Sequence, residues 1–229
     1  MMHLFFNYCR SNTVQTRVVA LAISLGVILA EACGSELTKN ASGKPSCCQK
    51  ELPCASALPD KSLYQLTSSW TNDAQASLQL ASLRGRPQIV TMFFANCEFA
   101  CPMLVNDMKR IEAALPAEVR TNVGFVLVSF DSQRDTPAAL AKFRALHKLN
   151  SNWTLLNGAP DDVLELAALL GVKFKKDARG QFAHSNLITL LNSAGEVVVQ
   201  QIGLNQKGDD LIDAAKRLSV PAATLQTKL

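Results

Sequence analysis

Largely apolar runs and helically spaced apolar positions alternate along most of the chain, behind a leading apolar segment and a polar stretch. Buried strands are predicted at residues 88–94 and 123–130, because both are dominated by Val, Leu, Ile, Met and Phe. Between them, apolar residues recur with helical spacing from 103 to 115, and Pro116 ends that helix. This order predicts a strand–helix–strand unit.

Predicted strands and helices continue towards the C-terminus. Thr136 and Pro137 are a typical helix cap and first helical residue, and that helix is predicted to run to about Leu149. The other predicted elements are a short hairpin around 69–80, a strand at 153–156, a helix from 161 to Gly171, strands at 186–191 and 196–202, and a closing helix at 209–218. The predicted fold class is therefore α/β, with a mixed central sheet flanked by helices.

The N-terminal segment predicts export. Arg10 and Arg17 precede a largely apolar segment of thirteen residues at 18–30, which is too short for a comfortable membrane span of about 20 residues but typical of a secretory leader. Cys33 resembles the lipid-modified cysteine of bacterial lipoproteins. A lipid anchor at Cys33, simple cleavage and an uncleaved membrane anchor are the alternatives, and residues 1–33 are assigned to this segment.

Residues 34–60 are predicted to be a flexible linker, because they are rich in Gly, Ser, Lys, Pro and Ala and lack apolar periodicity. The linker holds three cysteines, Cys47, Cys48 and Cys54. A disulfide with Cys54, a metal relay and no role at all are the alternatives for these auxiliary thiols. Residues 61–229 are then expected to form the folded domain.

Charge and composition exclude one class of function. The 229-residue chain has a formal net charge of only +4, and its Lys and Arg residues are scattered rather than gathered in a stripe. Aromatic residues make up only 6% of the chain, with no base-stacking pattern. Nucleic-acid binding is therefore not expected.

A cysteine pair marks the junction between the first long strand and its helix. Cys97 and Cys101 are separated by three residues, and Pro102 follows at once as a favoured first helical residue. Unpaired N–H groups at a helix N-terminus lower thiol pKa values. Because thiolates bind soft metals and exchange disulfides, the junction predicts one of these two chemistries.

Three motifs together resemble the Sco/SenC family, copper chaperones for cytochrome c oxidase assembly. Residues 97–102, Cys-Glu-Phe-Ala-Cys-Pro, match the family pattern C-x-x-x-C-P. Residues 130–137, Phe-Asp-Ser-Gln-Arg-Asp-Thr-Pro, are similar to its D-x-x-R-D-T-P segment. His184, expected in the loop ahead of the strand at 186–191, lies where the family keeps a metal-binding histidine. The resemblance covers about residues 61–218 and implies a thioredoxin-like fold.

The resemblance also implies a ligand set and its surroundings. Copper, as Cu(I) or Cu(II), would be held by Cys97, Cys101 and His184, and the two cysteines would form a reversible disulfide. Asp131 and Asp135 would either orient these ligands or only build a turn and helix start with a local ion pair. His147 is expected to be a solvated helix residue.

Two functions follow. The first is a metallochaperone, more a binding protein than an enzyme, which delivers copper to a cytochrome c oxidase subunit or another copper-receiving protein. It would act on the periplasmic side of the cytoplasmic membrane, held there by its N-terminal anchor. The alternative is a thiol–disulfide oxidoreductase that reduces client cysteines through Cys97 and Cys101. His184 discriminates between the two, because only copper binding needs it.

Overall fold

The computed structural model describes residues 58–219, which make up nearly all of the predicted folded domain. The leader, the anchor candidate Cys33 and the auxiliary thiols Cys47, Cys48 and Cys54 lie outside the described residues. In the described part of the chain, no helix combines the length and the apolar character that a membrane span needs.

The described chain contains nine strands and five α-helices. The strands are β1 (Trp70–Asn72), β2 (Ser77–Leu78), β3 (Gln88–Phe93), β4 (Gly124–Ser129), β5 (Trp153–Gly158), β6 (Phe174–Lys176), β7 (Phe182–His184), β8 (Leu187–Leu191) and β9 (Val197–Ile202). The helices are α1 (Ala100–Ala114), α2 (Ala117–Asn122), α3 (Pro137–His147), α4 (Pro160–Leu170) and α5 (Asp209–Ser219).

Seven of these strands form one mixed sheet in the order β2-β1-β5-β4-β3-β8-β9. Strands β3, β4 and β5 are parallel, whereas β1 and β8 run antiparallel to their neighbours. Every residue of β3 and β4 is buried, which requires cover on both faces of the sheet. The predicted α/β class and mixed central sheet are confirmed.

Local signals placed most of these elements correctly. The Thr136 hydroxyl accepts a hydrogen bond from the Ala139 N–H at 3.3 Å, and Pro137 is the first residue of α3. Helix α4 ends at Gly171, whose φ of 72° is left-handed, as expected of a glycine cap.

Three features differ from the prediction. Helix α1 begins at Ala100, so Pro102 is its third residue rather than its first; that position also needs no intrahelical N–H bond. Helix α2 was not predicted, since six residues with one buried side chain show no periodicity. The two-stranded sheet β6–β7 was also missed, because its strands have three residues each.

Candidate metal centre

The cysteine pair lies where β3 gives way to α1. Cys97 is in the connecting loop, where its N–H donates to the Phe94 carbonyl at 3.3 Å, and Cys101 is in the first turn of the helix. Cys97 is half-buried and Cys101 is fully buried, and both are free thiols. One sulfur therefore faces the surface while the other lies behind it.

The N-terminus of α1 converges on the Cys97 sulfur. The Cys101 thiol donates to it and lowers the pKa of Cys97 to about 5, against the opposing effect of partial burial. The backbone N–H groups of Cys101, Phe99 and Ala100 contribute in the same direction, the first at 3.3 Å from the sulfur. Cys97 is therefore a thiolate at neutral pH.

Cys101 has the opposite character. Its hydrogen bond to Cys97 and its burial raise the pKa of the Cys101 thiol above the usual range. The Phe94 N–H, 3.5 Å from the Cys101 sulfur, offsets this only in part. The pair thus consists of one accessible thiolate and one buried, protonated thiol.

His184 brings a nitrogen to the same point. It is the last residue of β7, paired with Phe174 across the β6–β7 hairpin, and not in a loop ahead of β8 as expected. Its Nε2 lies 3.7 Å from the Cys101 sulfur, and its Nδ1 lies 3.1 Å from the Ser185 carbonyl. Since a carbonyl only accepts, Nδ1 donates to Ser185, and Nε2 is the ring nitrogen that faces the Cys101 sulfur.

Aromatic rings surround the imidazole. The Phe130 ring centre is 5.1 Å from that of His184, and the Phe94 ring meets it edge-on at 6.2 Å. Phe182 packs on Phe94 at 5.1 Å, and Phe174 packs on Phe130 at 4.7 Å. This apolar wall limits the positions that the imidazole can adopt.

The three predicted ligands come together as a group. The two sulfurs and a His184 ring nitrogen all lie within 4.8 Å of one another. In residues 58–219, no other group of three or more His, Cys, Asp or Glu side chains has this arrangement. Two sulfur donors and one imidazole suit a soft ion of low coordination number.

Asp135 holds the cysteine loop in place. Its buried carboxylate accepts from the Ala95 N–H at 2.8 Å and from the Ser129 hydroxyl at 2.5 Å. Burial raises the pKa of the Asp135 carboxyl, and these hydrogen bonds partly counter the rise. Asp135 thus connects Ser129, the last residue of β4, to Ala95, which follows β3 and lies two residues before Cys97.

Asp131 holds the other side of the site. Its carboxylate is paired with Arg134 and lies 3.7 Å from the Lys176 ammonium in β6, and Arg134 also donates to the Gly180 carbonyl. Asp131 and Arg134 therefore fasten the hairpin that carries His184. No hydrogen bond joins either aspartate directly to a candidate ligand.

His147 lies apart from the site. It ends α3 and packs on the Phe143 ring at 4.2 Å; it is half-buried rather than fully solvated, and burial lowers its pKa. Glu98, between the two cysteines, is exposed and lines the same cleft as Cys97 and His184. The sequence did contain a signal for the missed hairpin, since Phe174 and Phe182 flank a polar turn that ends at Gly180.

The sequence comparisons match a family model and two curated relatives. A family model described as SCO1/SenC matches residues 60–219. The SCO1 protein homolog of Bacillus subtilis (strain 168) is 30% identical over 156 residues, which are 66% of this chain and 80% of the relative. The "Putative copper-binding protein" of Stutzerimonas stutzeri is 28% identical over 142 residues, which are 60% of this chain and 68% of the relative.

Solved structures agree with the sequence comparisons. The SCO1/SenC family lipoprotein of Bacillus anthracis str. Ames superposes with a TM-score of 0.61 at 26% identity, over 66% of this chain and 92% of that one. BsSco, described as a Sco-family cytochrome c oxidase assembly protein with a disulfide switch, has a TM-score of 0.59 at 29% identity, over 66% and 90% of the two chains. These likenesses and the sheet order confirm the predicted thioredoxin-like fold.

Proposed function

Because the chain belongs to the SCO1/SenC family, we propose that it is a copper metallochaperone whose cargo is held by Cys97, Cys101 and His184. The observation that carries this proposal is the convergence of two sulfurs and one imidazole nitrogen within 4.8 Å. The Stutzerimonas stutzeri relative named for copper binding supports the choice of metal. BsSco, a member of a family of cytochrome c oxidase assembly proteins, supports an oxidase subunit as the recipient.

Each donor has a defined part in binding. Cys97 offers a thiolate without further proton loss, since its pKa lies near 5. Cys101 must release its proton when the ion arrives, because its pKa is raised. His184 contributes the Nε2 lone pair, which the Nδ1 contact with Ser185 orients. Cu(I) is a soft ion, and thiolate and imidazole donors suit it.

The proposed place of action is outside the cytoplasmic membrane, on its periplasmic side. Residues 1–33 would export and anchor the protein, and residues 34–60 would tether a domain, 61–229, that folds alone. The Bacillus anthracis relative is a lipoprotein, which supports a lipid anchor at Cys33. In cell fractionation, Cys33→Ser should release the protein from the membrane, whereas retention would favour an uncleaved membrane helix.

The metal proposal is tested by titrating the reduced full chain with Cu(I) against a competing chelator. We expect one tight equivalent for the wild type and a loss of at least a hundredfold in affinity for His184→Ala, because the ligands of a metal site act together. His147→Ala is the matched control and should bind like the wild type. If His184→Ala retains full affinity, the third ligand is assigned wrongly.

A second function rests on the asymmetry of the two thiols. The Cys97 thiolate can attack a client disulfide, forming a mixed disulfide and releasing one client thiolate. Cys101, after losing its proton, then attacks the Cys97 sulfur and releases the second client thiolate. The client is reduced by two electrons, and Cys97 and Cys101 end as a disulfide.

The His184→Ala variant separates the chaperone from the oxidoreductase function. A thiol–disulfide oxidoreductase keeps its exchange rate with a model disulfide in His184→Ala, whereas a chaperone loses its cargo. Under either function the Cys97–Cys101 disulfide should form reversibly and should release Cu(I), because oxidation removes both thiolates. Thiol labelling with mass spectrometry would detect it; copper retained after complete oxidation would contradict the proposed ligand set.

A further inference from the structure

The net excess of positive charge in residues 58–219 lies in one hairpin, which carries His184. Residues 173–184, which we call the cationic hairpin, comprise β6, β7 and their turn. They carry four Lys or Arg residues and one acidic residue, Asp177. The rest of residues 58–219 carries 13 Lys or Arg against 15 Asp or Glu. The hairpin therefore has a formal net charge of +3, whereas the rest of residues 58–219 has a formal net charge of −2.

Most of these charges are available to a partner. Lys173 and Lys175 are exposed, and within residues 58–219 neither forms a salt bridge. The Arg179 side chain is 85% exposed, and its ion pair with Asp177 is a surface pair that contributes little to stability. Lys176 is partly committed, because it lies near Asp131 and over the Phe182 ring.

A cleft runs along the hairpin at the metal centre. It has a volume of about 640 Å³, and its lining includes Cys97, His184, Arg179 and Phe99. The Phe99 side chain is 73% exposed, an unusual state for a large apolar group beside a reactive thiol. Glu98 is the one acidic residue of the lining, and Lys175 lies outside the lining, paired with Ala183 that belongs to it. The cleft thus combines the Arg179 charge and an apolar lip with the Glu98 carboxylate.

We propose that the cationic hairpin and Phe99 form the docking surface for an acidic segment of the protein that exchanges copper with this chain, an inference that rests on the proposed function. Carboxylates of that segment face Lys175 and Arg179, and an apolar side chain packs on Phe99. Opposite charge around the two metal sites speeds encounter and orients the partners before the ion moves.

An anionic membrane surface would also attract lysines and a phenylalanine. A bilayer, however, is a broad surface, whereas Arg179 and Phe99 line a cleft around Cys97 and His184. A protein segment therefore fits better, and membrane binding becomes an outcome of the test.

The test uses the reduced, copper-free full chain in non-ionic detergent. The probe is a fluorescein-labelled synthetic peptide with six glutamates and two phenylalanines, and its twin carries glutamine for every glutamate. Binding is followed by fluorescence anisotropy at 25 and 250 mM salt. The hairpin variant is Lys175→Glu/Arg179→Glu. The control variant is Lys142→Glu/Arg217→Glu, which reverses the same charges at exposed positions outside the hairpin.

We expect the acidic peptide to bind the wild type and the control within twofold of each other. The hairpin variant should bind it at least tenfold more weakly, Phe99→Ser should lose about threefold, and high salt should reduce the difference. The glutamine twin should bind weakly to all of them. Equal losses in both charge-reversal variants, or no loss in the hairpin variant, would overturn the proposal.

Two further measurements separate the alternatives. Flotation with vesicles of 80% phosphatidylcholine and 20% phosphatidylglycerol should not distinguish the hairpin variant from the control; a loss specific to the hairpin variant would assign the surface to the membrane and overturn the proposal. The Cu(I) affinity of the hairpin variant should equal that of the wild type. If the wild type itself binds no copper, the proposed function fails, while peptide docking is still decided by the anisotropy result.

Discussion

Removing the Cys101 thiol should make Cys97 a weaker acid. The Cys101 thiol is the largest contributor to the low pKa of Cys97, which is about 5 instead of the ordinary 9.0. With that pKa, about 99% of Cys97 is thiolate at pH 7, against about 1% for an ordinary thiol. Cys101→Ala deletes the donor but leaves the backbone N–H groups of α1.

The size of the change follows from the strength of the bond. A hydrogen bond to a charged group contributes about 1.5–3 kcal/mol, and 1.36 kcal/mol corresponds to about one pKa unit. Solvent screens part of this, because Cys97 is only half-buried. We therefore expect Cys101→Ala to raise the pKa of Cys97 from about 5 to about 6. Cys101→Ser, whose hydroxyl still donates, should stay nearer the wild type.

The assay is the rate of iodoacetamide alkylation of reduced, copper-free protein between pH 3.5 and 9, with Cys97 quantified by fragment mass spectrometry. The wild-type rate should reach half its plateau near pH 5, with Cys101 unmodified over the range. An unchanged midpoint in Cys101→Ala would show that the helix N–H groups alone stabilise the thiolate. A wild-type midpoint near 9 would refute the reasoning altogether.

Three other outcomes are expected. The logarithm of the Cu(I) affinity should rise by about one per pH unit between pH 7 and 8, because Cys97 is already a thiolate there and only Cys101 loses a proton on binding. A slope of zero or two would contradict the assignment of one thiolate and one thiol. In a Tyr8→Phe background, the ultraviolet absorbance of Tyr64 should titrate with a midpoint near pH 12, because burial raises its pKa; a midpoint near pH 10 would contradict this. The contribution of the protonated Tyr64 to the free energy of unfolding should be full below pH 10 and should be lost as the pH rises through about 12. Asp135→Ala should cost about 2–4 kcal/mol in urea unfolding, since a backbone N–H and a buried hydroxyl lose their acceptor. Asp213→Ala, at an exposed surface ion pair, should cost under about 0.5 kcal/mol; equal costs would contradict the positioning role.

The sequence alone was sufficient where the structure depends on neighbours in the chain. The cysteine pair was placed correctly at a strand-to-helix junction, because an apolar strand, two thiols and a proline lie within fifteen residues. Thr136 and Gly171 marked helix ends through their own backbone chemistry. These signals are local, so no knowledge of distant packing was needed.

The rest depends on contacts between distant segments. The hairpin that carries His184 has short strands, and it is held by the packing of Phe174 and Phe182 on Phe130 and Phe94. Which of two neighbouring aspartates fastens the loop and which the hairpin depends on side-chain direction at the end of β4. The division of the cysteines into thiolate and thiol depends on the hydrogen bond between them and on the deeper burial of Cys101. None of these is encoded in local periodicity.

The ligand set is tested most directly by X-ray absorption spectroscopy of the reduced full chain loaded with one equivalent of Cu(I). The proposed centre predicts two sulfur neighbours and one imidazole nitrogen around the ion, and His184→Ala should lose the nitrogen while keeping both sulfurs. A wild-type shell of sulfur alone, or one that His184→Ala leaves unchanged, would contradict the proposed metal centre.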